Sequence, residues 1–310
     1  MSRSSFIRIV EVGPRDGLQN EAMVVPVADR IALIRALADA GLRTIEAGSF
    51  VSPKYVPQMA GTGAVMVGLG LHPGIALPVL VPNAHGFAEA RAAGARSIAV
   101  FAAASETFSR RNIHRGIAES LEQYQPIVAE ARAAGLTVRG YVSCALGCPY
   151  EGDVPVARVV AVATALADMG CQEVSLGDTI GVGTPDKARA MVAAVMQAIG
   201  AERVAVHFHD TYGQALANVL ACLDLGVTIV DASVAGLGGC PYAPGASGNL
   251  ATEDLVYMLN GLGVETGVDL DRLAEAGRMI CAVLGTPSRS RTAEALAARQ
   301  EEDAPCSMRG

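Results

Sequence analysis

Six times along this chain an alanine-rich helical stretch ends on a glycine and is followed at once by a short apolar run. The glycines are Gly41, Gly94, Gly135, Gly170, Gly200 and Gly226. Glycine ends a helix at low cost because it enters the left-handed conformation without a Cβ clash. The runs that follow read as strands over Thr44–Ala47, Ser97–Phe101, Thr137–Ser143, Glu173–Gly177, Val204–His207 and Ile229–Val234. Phe6–Val12 opens the series and Ile75–Val81 fills the wide gap after Gly41, which makes eight strands with helices between them. Helix–strand alternation implies a parallel sheet, and eight such units close into a (β/α)8 TIM barrel, an α/β fold. The competing open doubly wound sheet calls for Gly-x-Gly-x-x-Gly after the first strand. None is there, and the nearest run, Gly236-Leu237-Gly238-Gly239-Cys240-Pro241, has proline where the last glycine belongs.

A chain of 310 residues, 51% of them hydrophobic, is long enough to bury one large core of this kind. Thr252–Asn260 reads as the eighth helix and Asp269–Leu284 as a further C-terminal helix or helical pair. The barrel domain with its C-terminal helices is thus expected over 1–285, and 286–310 as a polar tail, either mobile or packed on a second subunit of a homodimer or higher homo-oligomer.

The net charge of −7 argues against a general nucleic-acid or membrane-surface partner, and no apolar run approaches membrane-span length. Met1–Ser5 is followed by strand-like residues rather than a signal-peptide core. Seven cysteines lie scattered without CxxC pairing. Both features lead to the expectation of a reduced, cytoplasmic protein.

In such barrels the active site forms at the C-terminal ends of the strands. Arg15 and Asp16 follow the first strand, Glu46 ends the second, Asp178 the sixth, and His207 and His209 the seventh; Cys240 and Asn249 lie in the long loop after the eighth. Side chains alternate along a strand, so His207 and His209 point the same way. Each residue has a plain structural reading: an ion pair for Arg15-Asp16, backbone bonding for Glu46, a helix cap for Asp178, an inert thiol for Cys240, a turn for Asn249. Their collection on one rim favours chemistry. Carboxylate and amide oxygens with two imidazoles suit a divalent cation with open positions, Mg2+ or Mn2+, rather than structural zinc. Asp16, His207, His209 and Asn249 are the candidate metal ligands, and Glu46 the residue that orients one of them. Lysine occurs only at Lys54 and Lys187, neither placed for chemistry, against twenty-two arginines. That excludes a Schiff-base aldolase and a barrel that uses carbamylated lysine, and leaves a metal-dependent C–C lyase or condensing enzyme.

From Ile9 to Leu284 the chain resembles the hydroxymethylglutaryl-CoA lyase family, within the metal-dependent aldolase-like barrels that also include isopropylmalate synthase. The resemblance rests on Val12–Glu21, Ile45-Glu46 with Ser49–Lys54, Gly140–Gly152, Ser175–Pro185, His207–Asn218 and the loop Gly236–Asn249 around Cys240. Condensing synthases usually carry Asn-Asp after the second histidine, where this chain has Asp210-Thr211. The resemblance implies cleavage of 3-hydroxy-3-methylglutaryl-CoA to acetyl-CoA and acetoacetate, with an acyl-CoA substrate. It implies Arg15 as donor to the thioester oxygen and Cys240 as the acid that protonates the enolate. The base stays open among Asp16 and a relay through Asp178 or Glu46. A longer branched 3-hydroxy-3-carboxymethyl acyl-CoA as substrate, and a condensing synthase, are the alternatives. Two departures touch no implied catalytic position: Ala22 stands where some members carry lysine, and Pro244 where glutamine is common. Arg110 and Arg111 are a weak signal for the CoA phosphates.

Overall fold

The computed structural model describes residues 4–70, 74–239 and 248–303. Its strands are β1 (Arg8–Glu11), β2 (Thr44–Ile45), β3 (Gly48–Ser49), β4 (Val79–Leu80), β5 (Ser97–Ala103), β6 (Thr137–Ser143), β7 (Glu173–Asp178), β8 (Val204–Phe208) and β9 (Ile229–Ala232). They pair in parallel in the order β2-β1-β9-β8-β7-β6-β5-β4-β3. The two ends of that order are parts of one stretch of chain. Glu46 donates its N–H to the Glu11 carbonyl on one side at 2.8 Å, while Ile45 and Ala47 donate to Ala76 and Pro78 on the other at 3.0 and 2.9 Å. The sheet therefore closes on itself, and the eight expected strands form the wall of a barrel.

The expected strand Ile75–Val81 keeps regular pairing only in β4, preceded by an isolated bridge between Thr44 and Ala76. Pro78 is the reason, since it has no N–H to give to a ladder; its carbonyl still accepts. Elsewhere the strands are covered on both faces, so they read as apolar runs rather than alternating ones, and every residue of β8 and β9 is buried.

All six helix-ending glycines take positive φ, between 76° and 117°. Gly41 has a second constraint. A Cβ there would lie 2.1 Å from the Gly267 carbonyl oxygen, so only glycine lets the turn after Val27–Asp39 sit against the segment that leads into Leu270–Leu284.

Thr252–Gly261 and Leu270–Leu284 are the expected C-terminal helices, the second capped by Asp269 Oδ1, which accepts the N–H groups of Asp271 and Arg272. The segment from Thr286, expected as a polar tail either mobile or packed on a second subunit, is bonded to the barrel over its described part. Buried Ser290 caps a helix over Arg291–Asp303: its Oγ accepts the Ala293 N–H at 3.0 Å and donates to Asp254 Oδ1 at 2.7 Å. Arg289 donates to Glu21 Oε1 at 2.9 Å, and the same oxygen accepts the Gly238 N–H at 3.1 Å. Cys306 lies outside the described residues. Among the described residues no helix is long and apolar enough to cross a membrane.

Candidate active site

The C-terminal end of β1 runs into a tight helical turn, Gly13–Gly17, that carries Arg15 and Asp16. Glu11 holds the turn in place. Its Oε1 accepts the N–H groups of Gly13 and Val234, and its Oε2 accepts the Thr252 hydroxyl at 2.7 Å. Burial lifts the Glu11 carboxyl to about 7 against these donors. A Cβ on Gly17 would come within 2.8 Å of Leu237 Cβ, so the turn lies directly against the chain leaving β9.

Around that turn six of the eight predicted site residues meet. Arg15 donates from Nε to Glu46 Oε2 at 2.7 Å and from Nη1 to Asp16 Oδ1 at 2.5 Å. Among the described residues its Nη2 has no partner. Burial works against the charge on Arg15, but Glu46 and Asp16 outweigh it and raise its pKa further. Burial likewise pushes the Asp16 carboxyl up; Arg15 and the two imidazoles outweigh this and hold it at about 2. The Glu46 carboxyl moves the other way, raised because its burial exceeds the pull of Arg15. Its Oε1 is buried with no partner among the described residues.

His207, the fourth residue of β8, and His209, just beyond it, stand with ring centroids 5.3 Å apart. His207 Nε2 lies 3.8 Å from Asp16 Oδ2, and ligand atoms of Asp16, His207 and His209 all fall within 4.8 Å of one another. His209 Nδ1 is buried without a partner among the described residues. Burial and the neighbouring His207 bring the His209 imidazole down to about 4, so it stays neutral with a lone pair to give. One ionised carboxylate and two imidazoles on one rim are a donor set that fits a divalent cation with open positions.

Asn249 joins the cluster through a backbone bridge to His209, and its Nδ2 donates to Asp16 Oδ2 at 3.0 Å. The same Nδ2 donates to the Leu237 carbonyl at 3.1 Å, so the amide here turns its nitrogen rather than its oxygen toward Asp16. Asp178 is the residue that does not join. Its Oδ1 accepts the Val182 N–H at 3.2 Å and its Oδ2 the Gly183 N–H at 2.8 Å, so it holds the loop ahead of the helix Pro185–Ile199. Burial raises its carboxyl to about 6 despite those bonds. Cys240 lies outside the described residues. Arg110 is paired with Glu106, and Arg111 stacks over the Tyr150 ring at 4.2 Å.

Sequence reasoning missed the layer beneath. His207 Nδ1 bonds to Asp231 Oδ2 at 3.1 Å; the same oxygen accepts the Ser175 hydroxyl at 2.9 Å, and Asp231 Oδ1 accepts Arg139 Nη2 at 2.5 Å. Arg139 Nη1 donates to the Tyr141 hydroxyl at 2.8 Å, which donates to Glu46 Oε2 at 3.3 Å. The signal was present. Arg139 and Tyr141 stand two apart on one face of β6, and Asp231 interrupts the apolar β9.

Comparison with known proteins gives this geometry a family. The family model described as HMGL-like matches residues 6–280. The chain belongs to the HMGL-like family. It is 59% identical to the mitochondrial hydroxymethylglutaryl-CoA lyase of Rattus norvegicus over 289 residues, covering 93% of this chain and 89% of that protein. It is 56% identical over 299 residues to the 3-hydroxy-3-isohexenylglutaryl-CoA/hydroxy-methylglutaryl-CoA lyase of Pseudomonas aeruginosa, covering 96% of this chain and all of that one. A crystal structure of hydroxymethylglutaryl-CoA lyase from Pseudomonas aeruginosa superposes with a TM-score of 0.95 at 56% identity, over 96% of this chain and 100% of that chain. The HMGL-like assignment agrees with the closed parallel barrel, and the matched span ends within the helix Leu270–Leu284.

Proposed function

We propose that the chain is a lyase that cleaves 3-hydroxy-3-methylglutaryl-CoA to acetyl-CoA and acetoacetate, with Mg2+ or Mn2+ held by Asp16, His207, His209 and Asn249. The observation that carries this reading is the position of Arg15. It is clamped between Glu46 and Asp16 with no bond to Nη2 among the described residues, beside a cluster that can hold a cation. When bound, the cation supplies Lewis acidity that lowers the pKa of the substrate hydroxyl and fixes its orientation. Arg15 donates to the thioester oxygen as negative charge develops there, and one such preorganised donor contributes ~3 kcal/mol. Glu46 and Asp16 hold the guanidinium before substrate arrives, so little reorganisation accompanies the reaction. The hydroxyl proton leaves for a carboxylate as the C2–C3 bond breaks; C3 becomes the ketone of acetoacetate, and the electron pair passes to the acetyl-CoA enolate. Of the two relay carboxylates, Glu46 is the better acceptor: its Oε1 has no partner among the described residues, whereas both oxygens of Asp178 serve its own loop. Cys240 then gives its proton to the enolate carbon, a step suited to an unperturbed thiol, which carries its proton at neutral pH.

Incubation with hydroxymethylglutaryl-CoA is expected to release acetyl-CoA and acetoacetate in equal amounts. A chelator abolishes the release and added Mn2+ restores it. Free CoA formed from acetyl-CoA and an α-keto acid, with no cleavage of hydroxymethylglutaryl-CoA, overturns the lyase reading in favour of a condensing synthase. Cys240→Ser is expected to lower turnover by about 100-fold, the low end for loss of a positioned acid, with Mn2+ content unchanged. Parental turnover in that variant removes Cys240 from the mechanism.

A second reading extends the acyl group to longer branched 3-hydroxy-3-carboxymethyl acyl-CoAs. It is supported by the Pseudomonas aeruginosa relative, whose name carries both an isohexenyl and a methyl substrate. Cleavage rates with the two acyl chains decide between them. The proposal includes a cytoplasmic setting and a homodimer. The five described cysteines are all buried and free, which suits a reducing compartment.

A further inference from the structure

The polar groups at the barrel mouth form a closed circuit. Starting at Asp16, contacts run through Arg15 to Glu46, then Tyr141, Arg139, Asp231 and His207, which returns to Asp16. Two of its seven members, Arg139 and Asp231, are not among the proposed cation ligands or substrate donors, and Asp231 reaches the cluster through His207. Both are almost fully buried, Asp231 at 1% and Arg139 at 6% exposure.

We propose that Asp231, clamped by Arg139 and Ser175, is the positioning residue of the cation site: it keeps hydrogen on His207 Nδ1 and so leaves the Nε2 lone pair facing Asp16. This rests on the reading of Asp16, His207 and His209 as a cation site. The argument is one of donor and acceptor counting. An ionised carboxylate can only accept. Asp231 Oδ1 takes Arg139 Nη2, and Oδ2 takes the Ser175 hydroxyl, so the carboxylate is pinned by two donors before His207 is considered. The 3.1 Å contact between Asp231 Oδ2 and His207 Nδ1 therefore requires the ring to be the donor at Nδ1. In the neutral ring that a cation requires, the lone pair is then at Nε2, 3.8 Å from Asp16 Oδ2. His209 has no counterpart to this device, since its Nδ1 is unpartnered among the described residues.

A simpler role for Asp231 would be to neutralise buried Arg139. Arg139 already has a second carboxylate, Glu173, whose Oε1 lies 2.6 Å from Arg139 Nε. Neutralisation alone would thus leave cation affinity unmoved when Asp231 loses its charge.

The test is Mn2+ binding by isothermal titration to the parent chain, Asp231→Asn and Ser175→Ala, with circular dichroism to check folding. Asparagine can turn an N–H toward His207 Nδ1 and force hydrogen onto Nε2. Asp231→Asn is expected to weaken Mn2+ binding by about 10–100-fold, as loss of an outer partner of a metal-binding histidine does. Ser175→Ala keeps the carboxylate and is expected to weaken it less. A folded Asp231→Asn variant that binds Mn2+ within twofold of the parent overturns the proposal. If the parent binds no Mn2+, the cation-site reading itself fails, a separate outcome. Should Asp231→Asn not fold, 15N-histidine NMR of the Mg2+-loaded parent decides, the His207 signals being assigned by their absence from His207→Ala. Hydrogen on Nδ1 supports the role, and hydrogen on Nε2 overturns it.

Discussion

His207→Ala is expected to lower Mn2+ affinity by more than about 100-fold, beyond the 10–100-fold that loss of an outer partner costs. Activity at ordinary cation concentrations should disappear with it and return in part at high Mn2+. The structure explains why this loss is separable from unfolding. Without the imidazole, Asp231 keeps Arg139 and Ser175, and Asp16 keeps Arg15 and Asn249, so no buried charge is stranded. Titration of activity against added Mn2+, beside a thermal melt of the cation-free protein, measures both quantities. Affinity within threefold of the parent would remove His207 from the cation site.

Arg15→Met has a different signature. Turnover is expected to fall between about 10²- and 10³-fold, the range for removal of one donor to a developing oxyanion. The loss should appear in kcat with KM little changed, because the contact is made in the transition state rather than with bound substrate. Stability should fall too. Methionine strands Glu46 and Asp16 at the barrel mouth, and breaking a buried ion pair costs about 3–5 kcal/mol when a charge is left uncompensated. Glu46 softens that cost by taking up a proton, since burial already raises its pKa. Arg15→Lys separates the two effects: it keeps a charge between the carboxylates but cannot reach both and still present a donor. Steady-state kinetics with urea denaturation tests the pair. Arg15→Met that retains more than about a tenth of parental turnover would sink the oxyanion role.

What the sequence made legible, and what it hid, follows from the range over which each signal acts. The strand count was readable because each glycine stop and each apolar run is local, and the φ of Gly41 or Gly170 depends on its own turn. The division of the second strand into β2 and β3, and the shortness of β4, come from Pro78 acting across a strand pair, which no local pattern displays. In the site, His207 and His209 were readable from alternation, and Arg15-Asp16 from their place after β1. Asp178 divides its two readings only in space: both oxygens face Val182 and Gly183 rather than the cluster. Asp231 and Arg139 stand ninety-two positions apart in the chain and become partners only when the barrel closes. Ser290 shows the same limit, because the polar composition around it does not reveal that Asp254 is waiting to receive it.

The anchoring of the last helix has a practical side. Arg289 bonds to Glu21 and to the Gly236 carbonyl, and Glu21 in turn bonds to Gly238, so the far end of the chain is fastened to residues that lead from β9 toward Asn249. Residues just ahead of the last helix are therefore bonded to the chain that leaves β9 beside the candidate site. For an engineer this makes residues 286–292 a remote dial: a library confined to them would change how Gly236 and Glu21 are held without altering Arg15, Asp16, Glu46, His207, His209 or Asn249.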